Sequence, residues 1–388
     1  MTVSIGSFDV LAEDGLARTG VFQTAHGSFE TPAFMPVGTQ GTVKGVTPRE
    51  LRELNAQIIL SNTYHLELRP GSELIRDLGG LHRFMGWDGP ILTDSGGYQV
   101  FSLAKLRKLS ERGVEFQSHL DGGKVFFTPE RVIEIQENLG VDIMMVLDEC
   151  LPFPSTAEAA DRSLELTLRW AERSLAARKR PECLMFGIVQ GGMHADLRAK
   201  ACERLCAMPF DGYAIGGLSV GEPPSVMLEV AGLSASKLPR EKIRYLMGVG
   251  TPTDLVQAVA LGIDLFDCVI PTRSGRFGRL FTAAGPINIR NQQFRADSQP
   301  IEPGCDCYSC RNFSRAYISH LTHTKEILAS ELASLHNLRF YQRLMERIRL
   351  SIKSGSFSRF YQDFLSHYRT VMAPEAGEEV DFRNDADT

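Results

Sequence analysis

Residues 186–192 have the sequence FGIVQGG, a short uncharged run that ends in an amide and two glycines. The same pattern, a short apolar run that ends in polar residues or glycine, occurs eight times, and most copies precede a segment with helical periodicity. The runs cover residues 33–37, 58–60, 91–93, 143–147, 186–189, 213–215, 245–248 and 265–268. Fully apolar short strands that alternate with helices are typical of a parallel sheet buried on both faces. Eight such units predict an α/β fold, a (β/α)8 TIM barrel rather than an open sheet.

Three stretches fall outside this repeat. Residues 2–30 predict an antiparallel hairpin that turns at Glu13-Asp14-Gly15. The segment VEFQSHLDGGKVFF, residues 114–127, alternates apolar and polar side chains around Asp121-Gly122-Gly123, which predicts a β-hairpin inserted after the third strand. After the last run we expect a loop rich in glycine and arginine at residues 273–279, then a cysteine-rich segment and helices to about residue 371.

The composition excludes several classes of protein. The 388 residues are 43% hydrophobic and 23% charged, which excludes collagen-like, coiled-coil and disordered chains. The sequence has no run of about 18 apolar residues, so it predicts no transmembrane helix. The N-terminal sequence MTVSIGSFDVLAEDG lacks the basic and apolar regions of a signal peptide. We therefore expect a cytoplasmic protein whose eight cysteines are thiols or metal ligands rather than disulfides.

The net charge of −5 is unevenly distributed. Residues 373–388 hold six acidic residues and one arginine, so residues 1–372 sum to zero and the acidic tail predicts disorder. Residues 311–370 hold ten Lys and Arg against four Asp and Glu. This basic segment is either an ordinary solvated face or a surface that binds phosphates.

Polar side chains follow the predicted strands at the end where barrel enzymes carry their functional groups. An aspartate in such a place can simply cap the next helix, but several polar ends beside glycines favour a site. Paired aspartates at a barrel mouth suggest chemistry at an anomeric carbon, with one carboxylate as nucleophile and the other handling protons. The strand ends carry Asp94, Asp148, Gln190, Gly216, Gly217 and Asp267.

The segment from Cys305 to Cys310 has the spacing C-x-C-x2-C, which predicts a structural zinc site in a chain without an export signal. A fourth ligand is required, and the spacing leaves three histidines open: His320, His323 and His336. Three other cysteines, Cys183, Cys202 and Cys206, predict core or helix positions. The last two, Cys150 and Cys268, lie beside predicted site aspartates and either line the site or only pack there.

Together these motifs resemble bacterial tRNA-guanine transglycosylase, a member of the queuine tRNA-ribosyltransferase family. The motifs are TDSGGYQVFS (93–102), LDEC (147–150), GIVQGG (187–192), IGGLSVGE (215–222), YLMGVGTP (245–252), FDCVIPTRSGR (266–276) and the cysteine segment. The resemblance covers about residues 5–370. It implies a zinc-containing homodimeric pentosyltransferase that replaces guanine at wobble position 34 of GUN anticodons (tRNA-Asp, -Asn, -His and -Tyr). The incoming base would be 7-aminomethyl-7-deazaguanine (preQ1), inserted by double displacement during queuosine biosynthesis.

The resemblance also implies roles for individual residues. Asp267 is implied as the nucleophile and Asp94 as the proton acceptor, with the Tyr98 ring stacked on the base. The implied zinc ligands are Cys305, Cys307, Cys310 and His336. The implied substrate pocket consists of Asp94, Ser95, Gly96, Gly97, Tyr98, Asp148, Cys150, Gln190, Gly217, Leu218, Val220 and Met247. The implied anticodon contacts are Gly248, Val249, Gly250, Thr251, Pro252, Thr253, Asp254, Thr272, Arg273, Ser274, Gly275 and Arg276.

The resemblance also implies that Cys150 and Val220 determine which base is accepted, because their side chains would flank the substituent on the deazaguanine. Eukaryotic relatives carry glycine where Val220 stands, which leaves room for the bulkier queuine. We expect four parts in the chain: an N-terminal β-hairpin region at residues 1–30, a catalytic barrel at 31–285, a zinc-binding subdomain with closing helices at 286–371, and the acidic tail at 372–388.

Three alternatives remain at this point. A barrel glycoside hydrolase would also use two carboxylates, but it leaves the cysteine segment and the arginine-rich segment unexplained. A non-catalytic RNA-binding homologue would be expected to lose catalytic positions, yet both aspartates and Gln190 are present. An archaeal transglycosylase would usually carry additional C-terminal RNA-binding domains.

Overall fold

The computed structural model describes residues 4–103 and 107–368. The acidic tail predicted at residues 372–388 lies outside these residues. The strands in chain order are β1 (Phe8–Asp14), β2 (Ala17–Thr24), β3 (Gly27–Thr31), β4 (Ala33–Met35), β5 (Ile59–Ser61), β6 (Ile91–Thr93), β7 (Arg107–Ser110), β8 (Gly113–Gln117), β9 (Lys124–Phe127), β10 (Ile143–Met145), β11 (Leu184–Val189), β12 (Gly212–Ile215), β13 (Ile243–Leu246), β14 (Leu265–Asp267), β15 (Arg279–Thr282) and β16 (Gly285–Asn288).

The helices follow the same chain order, with one additional 3-10 turn at Gln292–Phe294. They are α1 (Pro48–Glu53), α2 (Thr63–Leu68), α3 (Ser72–Asp77), α4 (Gly80–Met85), α5 (Gly97–Leu103), α6 (Pro129–Leu139), α7 (Ala157–Ala177), α8 (Ala195–Cys206), α9 (Pro224–Lys237), α10 (Pro252–Ala260), α11 (Ile270–Arg276), α12 (Tyr308–Asn312), α13 (Arg315–His323), α14 (Ile327–Lys353) and α15 (Phe357–His367). No helix of residues 4–103 and 107–368 is long and apolar enough to cross a membrane.

The eight predicted apolar runs are the eight strands of one parallel sheet, which confirms the predicted (β/α)8 barrel. Their order is β4-β14-β13-β12-β11-β10-β6-β5. The residues just beyond β4 bond β5 and close the sheet. The Gly38 N–H donates to the Leu60 carbonyl at 2.6 Å, and the Leu60 N–H donates to the Pro36 carbonyl at 3.0 Å. Short strands suffice because both faces are covered, and nearly every strand residue is buried.

The predicted N-terminal hairpin is confirmed as β1 and β2, and β3 adds a third antiparallel strand. This sheet contacts the barrel at the amino ends of its strands. Arg18 in β2 pairs with the buried Asp264, which directly precedes β14. His26, between β2 and β3, stacks on His82 of α4, and both rings bond the buried Asp142 that precedes β10. Asp142 thereby joins the hairpin region to the barrel, which leaves the opposite rim open.

The predicted inserted hairpin is also confirmed. β8 and β9 pair antiparallel around residues 118–123. A third strand, β7, pairs with β8. The sequence did not predict β7 because its four side chains are all exposed, so it shows no alternation between buried and exposed residues.

The predicted loop at residues 273–279 is wrong in its first half, because α11 runs from Ile270 to Arg276. Gly275 indicated a loop by its composition, yet its role is helix packing. A Cβ atom on Gly275 would lie 3.0 Å from backbone atoms of Ala333 and Ser334 in α14, so only glycine lets the two helices approach this closely. The long helix α14 thus packs directly against the segment that follows the last barrel strand.

Candidate active site and metal centre

Asp267 is held at the end of β14 by one of its two carboxylate oxygens. The Tyr245 hydroxyl donates to Asp267 Oδ1 at 2.6 Å, and the Gly248 N–H donates to the same oxygen at 2.8 Å. Within the part of the chain that the structure describes, no hydrogen bond reaches Oδ2. Burial raises the pKa of Asp267, while the two donors favour the ionised form. One oxygen is therefore anchored, and the other is available to attack an electrophile.

Asp94 follows β6 and is bound by the start of α2. The Asn62 amide donates to one carboxylate oxygen at 2.5 Å, and the Thr63 N–H donates to the other at 2.9 Å. The pKa of Asp94 is raised to about 6, mainly by burial and to a smaller extent by the charge of Asp267, while the Asn62 and Thr63 donors oppose the rise. The interaction between the two like charges indicates that both aspartates lie at the same mouth of the barrel, where β6 and β14 end. A carboxyl group with this pKa can both take up and release a proton near neutral pH.

Asp148, Ser95 and Gln190 form a second buried cluster at the same rim. Gln190 Nε2 donates to Asp148 at 2.7 Å, and Ser95 Oγ donates at 3.2 Å. Burial raises the pKa of Asp148 to about 6. Gly217, at φ +65°, lies so close that a Cβ atom there would be 2.3 Å from Gln190 Oε1. Backbone N–H, amide and carboxylate groups are thus brought together, as recognition of a polar heterocycle requires.

Tyr98 lies above this rim near the start of α5, with 53% of the residue exposed. Burial raises the pKa of its hydroxyl, and so do the nearby Cys150 and Cys268 thiols. Because these cysteines lie beside Asp148 and Asp267 in the sequence, the Tyr98 hydroxyl is near both carboxylate clusters. An aromatic ring in this place can stack on a planar ligand.

The remaining residues of the predicted pocket lie around the same rim. Ser95, Gly96, Gly97, Cys150 and Leu218 are buried, and Val220 and Met247 are half-buried. The Ser219 and Val220 N–H groups both donate to the Glu222 carboxylate, at 2.5 and 2.9 Å. Glu222 therefore fixes the turn that follows Gly217 and Leu218.

The segments predicted to contact RNA follow β13 and β14. Gly248 and Thr251 are exposed, and Thr253, Asp254, Arg273, Ser274 and Arg276 are half-buried. Thr251 also caps α10, because its hydroxyl accepts the Asp254 N–H at 3.2 Å. The side chains at three other predicted positions, Val249, Pro252 and Thr272, are enclosed by protein, and Gly250 and Gly275 are buried as well.

The three cysteines of the C-x-C-x2-C segment converge on His336 of α14. His336 Nδ1 lies 3.9, 3.8 and 3.3 Å from the sulfurs of Cys305, Cys307 and Cys310. His336 Nε2 donates to the Phe281 carbonyl at 2.7 Å, which directs Nδ1 towards the thiols. The four ligand atoms lie within 4.8 Å of one another, and all four residues are buried. They can hold a metal ion in a closed, structural site.

The other two candidate histidines lie on α13, away from this group. His323 Nδ1 bonds the Ser319 carbonyl of its own helix at 2.8 Å, and His320 is exposed. The geometry therefore selects His336, the ligand that the family resemblance implied and that spacing alone left open.

Several residues of the site were not found from the sequence. Asn62 and Thr63 follow β5, so the same strand-end rule could have found them. Tyr245 lies inside β13 and has no such signal, and Glu222 acts on backbone N–H groups two and three residues before it. Arg198 interrupts the apolar face of α8, which is its only signal.

Comparisons with known proteins identify the family of this chain. The family model described as "Queuine tRNA-ribosyltransferase" matches residues 13–370. A protein of that name from Solidesulfovibrio magneticus is 54% identical over 365 residues, which is 94% of this chain and 98% of the relative. A relative of the same name from Thermoanaerobacter sp. (strain X514) is 56% identical over 91% of this chain and 94% of the relative. Another, from Francisella tularensis subsp. novicida, is 51% identical over 95% of this chain and 100% of the relative.

Proposed function

The chain belongs to the queuine tRNA-ribosyltransferase family, and on this premise we propose that it is a tRNA-guanine transglycosylase acting at wobble position 34 of GUN anticodons. As an enzyme of this pentosyltransferase family, it transfers a ribosyl group between two bases. The incoming base we propose is 7-aminomethyl-7-deazaguanine, a step towards queuosine. The observation that carries the proposal is the pair formed by Asp267, with one oxygen unbonded within the described chain, and Asp94, with a pKa near 6.

The first displacement uses Asp267. Its Oδ2 attacks C1′ of the nucleotide, an ester bond forms between the two atoms, and the C1′–N9 bond breaks. The electron pair of that bond stays on the departing guanine, which takes up a proton from the Asp94 carboxyl group. Because the target base must leave the stack to be reached, an anticodon loop suits this site better than a duplex.

The second displacement forms a new bond between C1′ and a base and breaks the ester bond to the enzyme. N9 of the incoming base attacks C1′, and the ester bond to Asp267 breaks. The proton lost from N9 passes to Asp94. Over the whole exchange one proton leaves the incoming base and one joins guanine, so a carboxyl group with a pKa of about 6 serves both directions.

We assign recognition of the base to the cluster of Asp148, Ser95 and Gln190. An ionised Asp148 accepts hydrogen bonds from the N–H groups on the Watson–Crick edge of a guanine-like base. The Gln190 amide and the Gly217 N–H add donors and an acceptor beside it, and the Tyr98 ring stacks on the base. Stacking of this kind contributes about 1–3 kcal/mol per base.

The metal we propose is zinc, one ion per chain. Three thiolates and one imidazole are the donor set of structural zinc sites, and no ligand position is left open for chemistry. When bound, the ion crosslinks the cysteine segment to α14. The same helix bonds the loop after β13, since the Tyr341 hydroxyl donates to the Gly250 carbonyl at 2.6 Å. The site thus supports the rim without taking part in the reaction.

The partners we propose follow from the substrate. Arg273 and Arg276 at the rim suit contacts to phosphates or base edges of the anticodon loop. We place the protein in the cytoplasm because its tRNA substrate is there. The family resemblance further implies a homodimer, and light scattering of the purified protein should report twice the chain mass.

Incorporation of labelled guanine tests the function. Wild-type protein is incubated with labelled guanine and an unmodified tRNA that carries a GUN anticodon, beside the same tRNA with G34 replaced. Label should enter only the first tRNA. Release of free ribose or sugar without incorporation would favour a hydrolase and overturn the proposal.

Asp267→Asn tests the nucleophile. Both donors to Oδ1 can still bond the amide oxygen, so fold and tRNA binding should persist, but an amide is a poor nucleophile. We expect base exchange to fall by at least about 10³-fold. A denaturing gel with tRNA should show a covalent band for wild type and none for the variant. A fully active Asp267→Asn protein would remove Asp267 from this role.

A further inference from the structure

Arg198 is completely buried beneath the candidate base pocket and forms no ion pair with a carboxylate among the described residues. The residue is 0% exposed, and no carboxylate within the described residues lies within 4 Å of its guanidinium. Burial lowers its pKa to about 10, so the side chain remains charged at neutral pH. A buried cation without a carboxylate is costly for stability, and the rest of the fold must offset that cost. The position therefore requires a reason other than stability.

The guanidinium bonds the backbone at the ends of two adjacent barrel strands. Nη1 donates to the Val189 carbonyl and to the Gly216 carbonyl, both at 2.9 Å. Nε donates to the Gly192 carbonyl at 2.8 Å. Val189 and Gly216 are the residues immediately before Gln190 and Gly217. One planar side chain thus fixes both peptide units that present the candidate base-binding residues.

The orientation of one of these peptides matters most. In a trans peptide the C=O and N–H groups point in opposite directions. The Gly216 carbonyl and the Gly217 N–H belong to the same peptide unit, so a carbonyl held on Arg198 directs that N–H away from Arg198. Within the described residues the Gly217 N–H makes no hydrogen bond of its own. A donor held in this way is available to a ligand.

We propose that Arg198 is a positioning residue that aims the Gly217 N–H at the 6-oxo group of the bound base. The inference rests on the proposed function, which places a guanine-like base here. Asp148 accepts from the N–H groups of the Watson–Crick edge, and the 6-oxo group is the acceptor next to them. Arginine suits the task because its planar fork reaches three carbonyls at once, whereas a lysine ammonium on a flexible stem cannot hold all three in this arrangement.

The test compares Arg198→Lys with a matched control. Arg18→Lys changes another buried arginine, which bonds the Arg240 and Lys242 carbonyls at the opposite end of the barrel. In Arg198→Lys we expect the KM for guanine to rise about 5- to 30-fold, as for one misdirected hydrogen bond, with kcat nearly unchanged. Arg18→Lys should lower the melting temperature without this rise in KM. Wild-type KM in Arg198→Lys, or the same rise in both variants, would overturn the proposal.

A base analogue identifies the affected group. 6-Thioguanine keeps the N–H edge but replaces the oxygen with sulfur, a weaker acceptor. Wild type should prefer guanine over 6-thioguanine, and Arg198→Lys should lose most of that preference. An unchanged preference ratio would contradict the assignment. Arg198→Gln, which keeps a planar donor, is the second variant if the lysine protein does not fold.

Failure of this inference is distinguishable from failure of the proposed function. A wild-type protein that incorporates no guanine into tRNA refutes the function, whatever Arg198 does. A wild-type protein that incorporates guanine, beside an Arg198→Lys protein with unchanged KM and preference, refutes the role of Arg198 alone.

Discussion

Replacing Asp148 with asparagine should make the protein more stable at alkaline pH while removing base exchange. Burial raises the pKa of this carboxyl group from its ordinary value of 3.8 to about 6, so the native state binds the proton more tightly than the unfolded chain. Between these two values the native state holds more protons, and stability falls as the pH rises. The ionised carboxylate therefore lowers the stability of the wild-type protein at neutral and alkaline pH.

The size of the effect follows from the two pKa values. The loss of stability is about 3 kcal/mol at pH 8 and about half of that at pH 5. Asparagine carries no charge, so the variant avoids this loss of stability. Its oxygen can accept from Gln190 and its amide can donate to Ser95, so both neighbouring bonds persist in some form. The expected gain is about 1–3 kcal/mol at pH 8, shrinking towards pH 5.

Denaturant unfolding of both proteins at pH 8 and pH 5, each with the metal site loaded, measures the difference. Asp121→Asn is the matched control. It replaces an exposed turn carboxylate whose pKa is lowered, first by the Gly123 N–H, so it should give no gain. The reasoning fails if Asp148→Asn is equally or less stable than wild type at pH 8, or if its gain does not change with pH.

Two further predictions concern the metal and the choice of base. Cys307→Ser should lose one zinc per chain and melt at a lower temperature, because Cys307 both faces His336 and caps α12. Metal analysis and thermal unfolding measure the two effects. A variant with stoichiometric zinc and a normal melting temperature would contradict the four-ligand site. Wild type should use 7-aminomethyl-7-deazaguanine and refuse queuine, and Val220→Gly should begin to admit queuine because it removes a half-buried side chain beside the pocket. Competition between the two bases decides it, and efficient queuine use by wild type would refute this assignment.

The parts of the fold that depend on local pattern were predictable from the sequence. Each barrel strand is a short apolar run, because both faces of a parallel sheet are buried. The rule that functional groups follow such strands led to Asp94, Gln190 and Asp267, which the structure places at one rim. The exposed strand β7 has no pattern of this kind and was missed.

The parts that depend on distant contacts were not predictable. Tyr245 bonds Asp267 from inside a neighbouring strand, where no strand-end signal marks it. The strand-end rule could have marked Asn62 as a site residue, but not its bond to Asp94, 32 residues further along the chain. The proposed role of Arg198 follows only from its hydrogen bonds to three backbone carbonyls, which the sequence does not reveal. Gly275 suggested a flexible loop, although the close approach of α14 is what requires glycine there. In each case the deciding partner lies on another element.

The pairing of β4 with β14 has a consequence for the order in which the chain matures on the ribosome. Ala33 pairs with Leu265, so 232 residues of synthesis separate the two strands that meet at this seam. At about 5–20 residues per second, one edge of β4 waits about 10–50 s for its neighbour. The carbonyls of Pro32 and Phe34 wait longer, because their donors, Arg349 and Gln342, lie on α14. A nascent barrel therefore exposes an unpaired strand edge for most of its translation, and such an edge is a template for pairing with other chains.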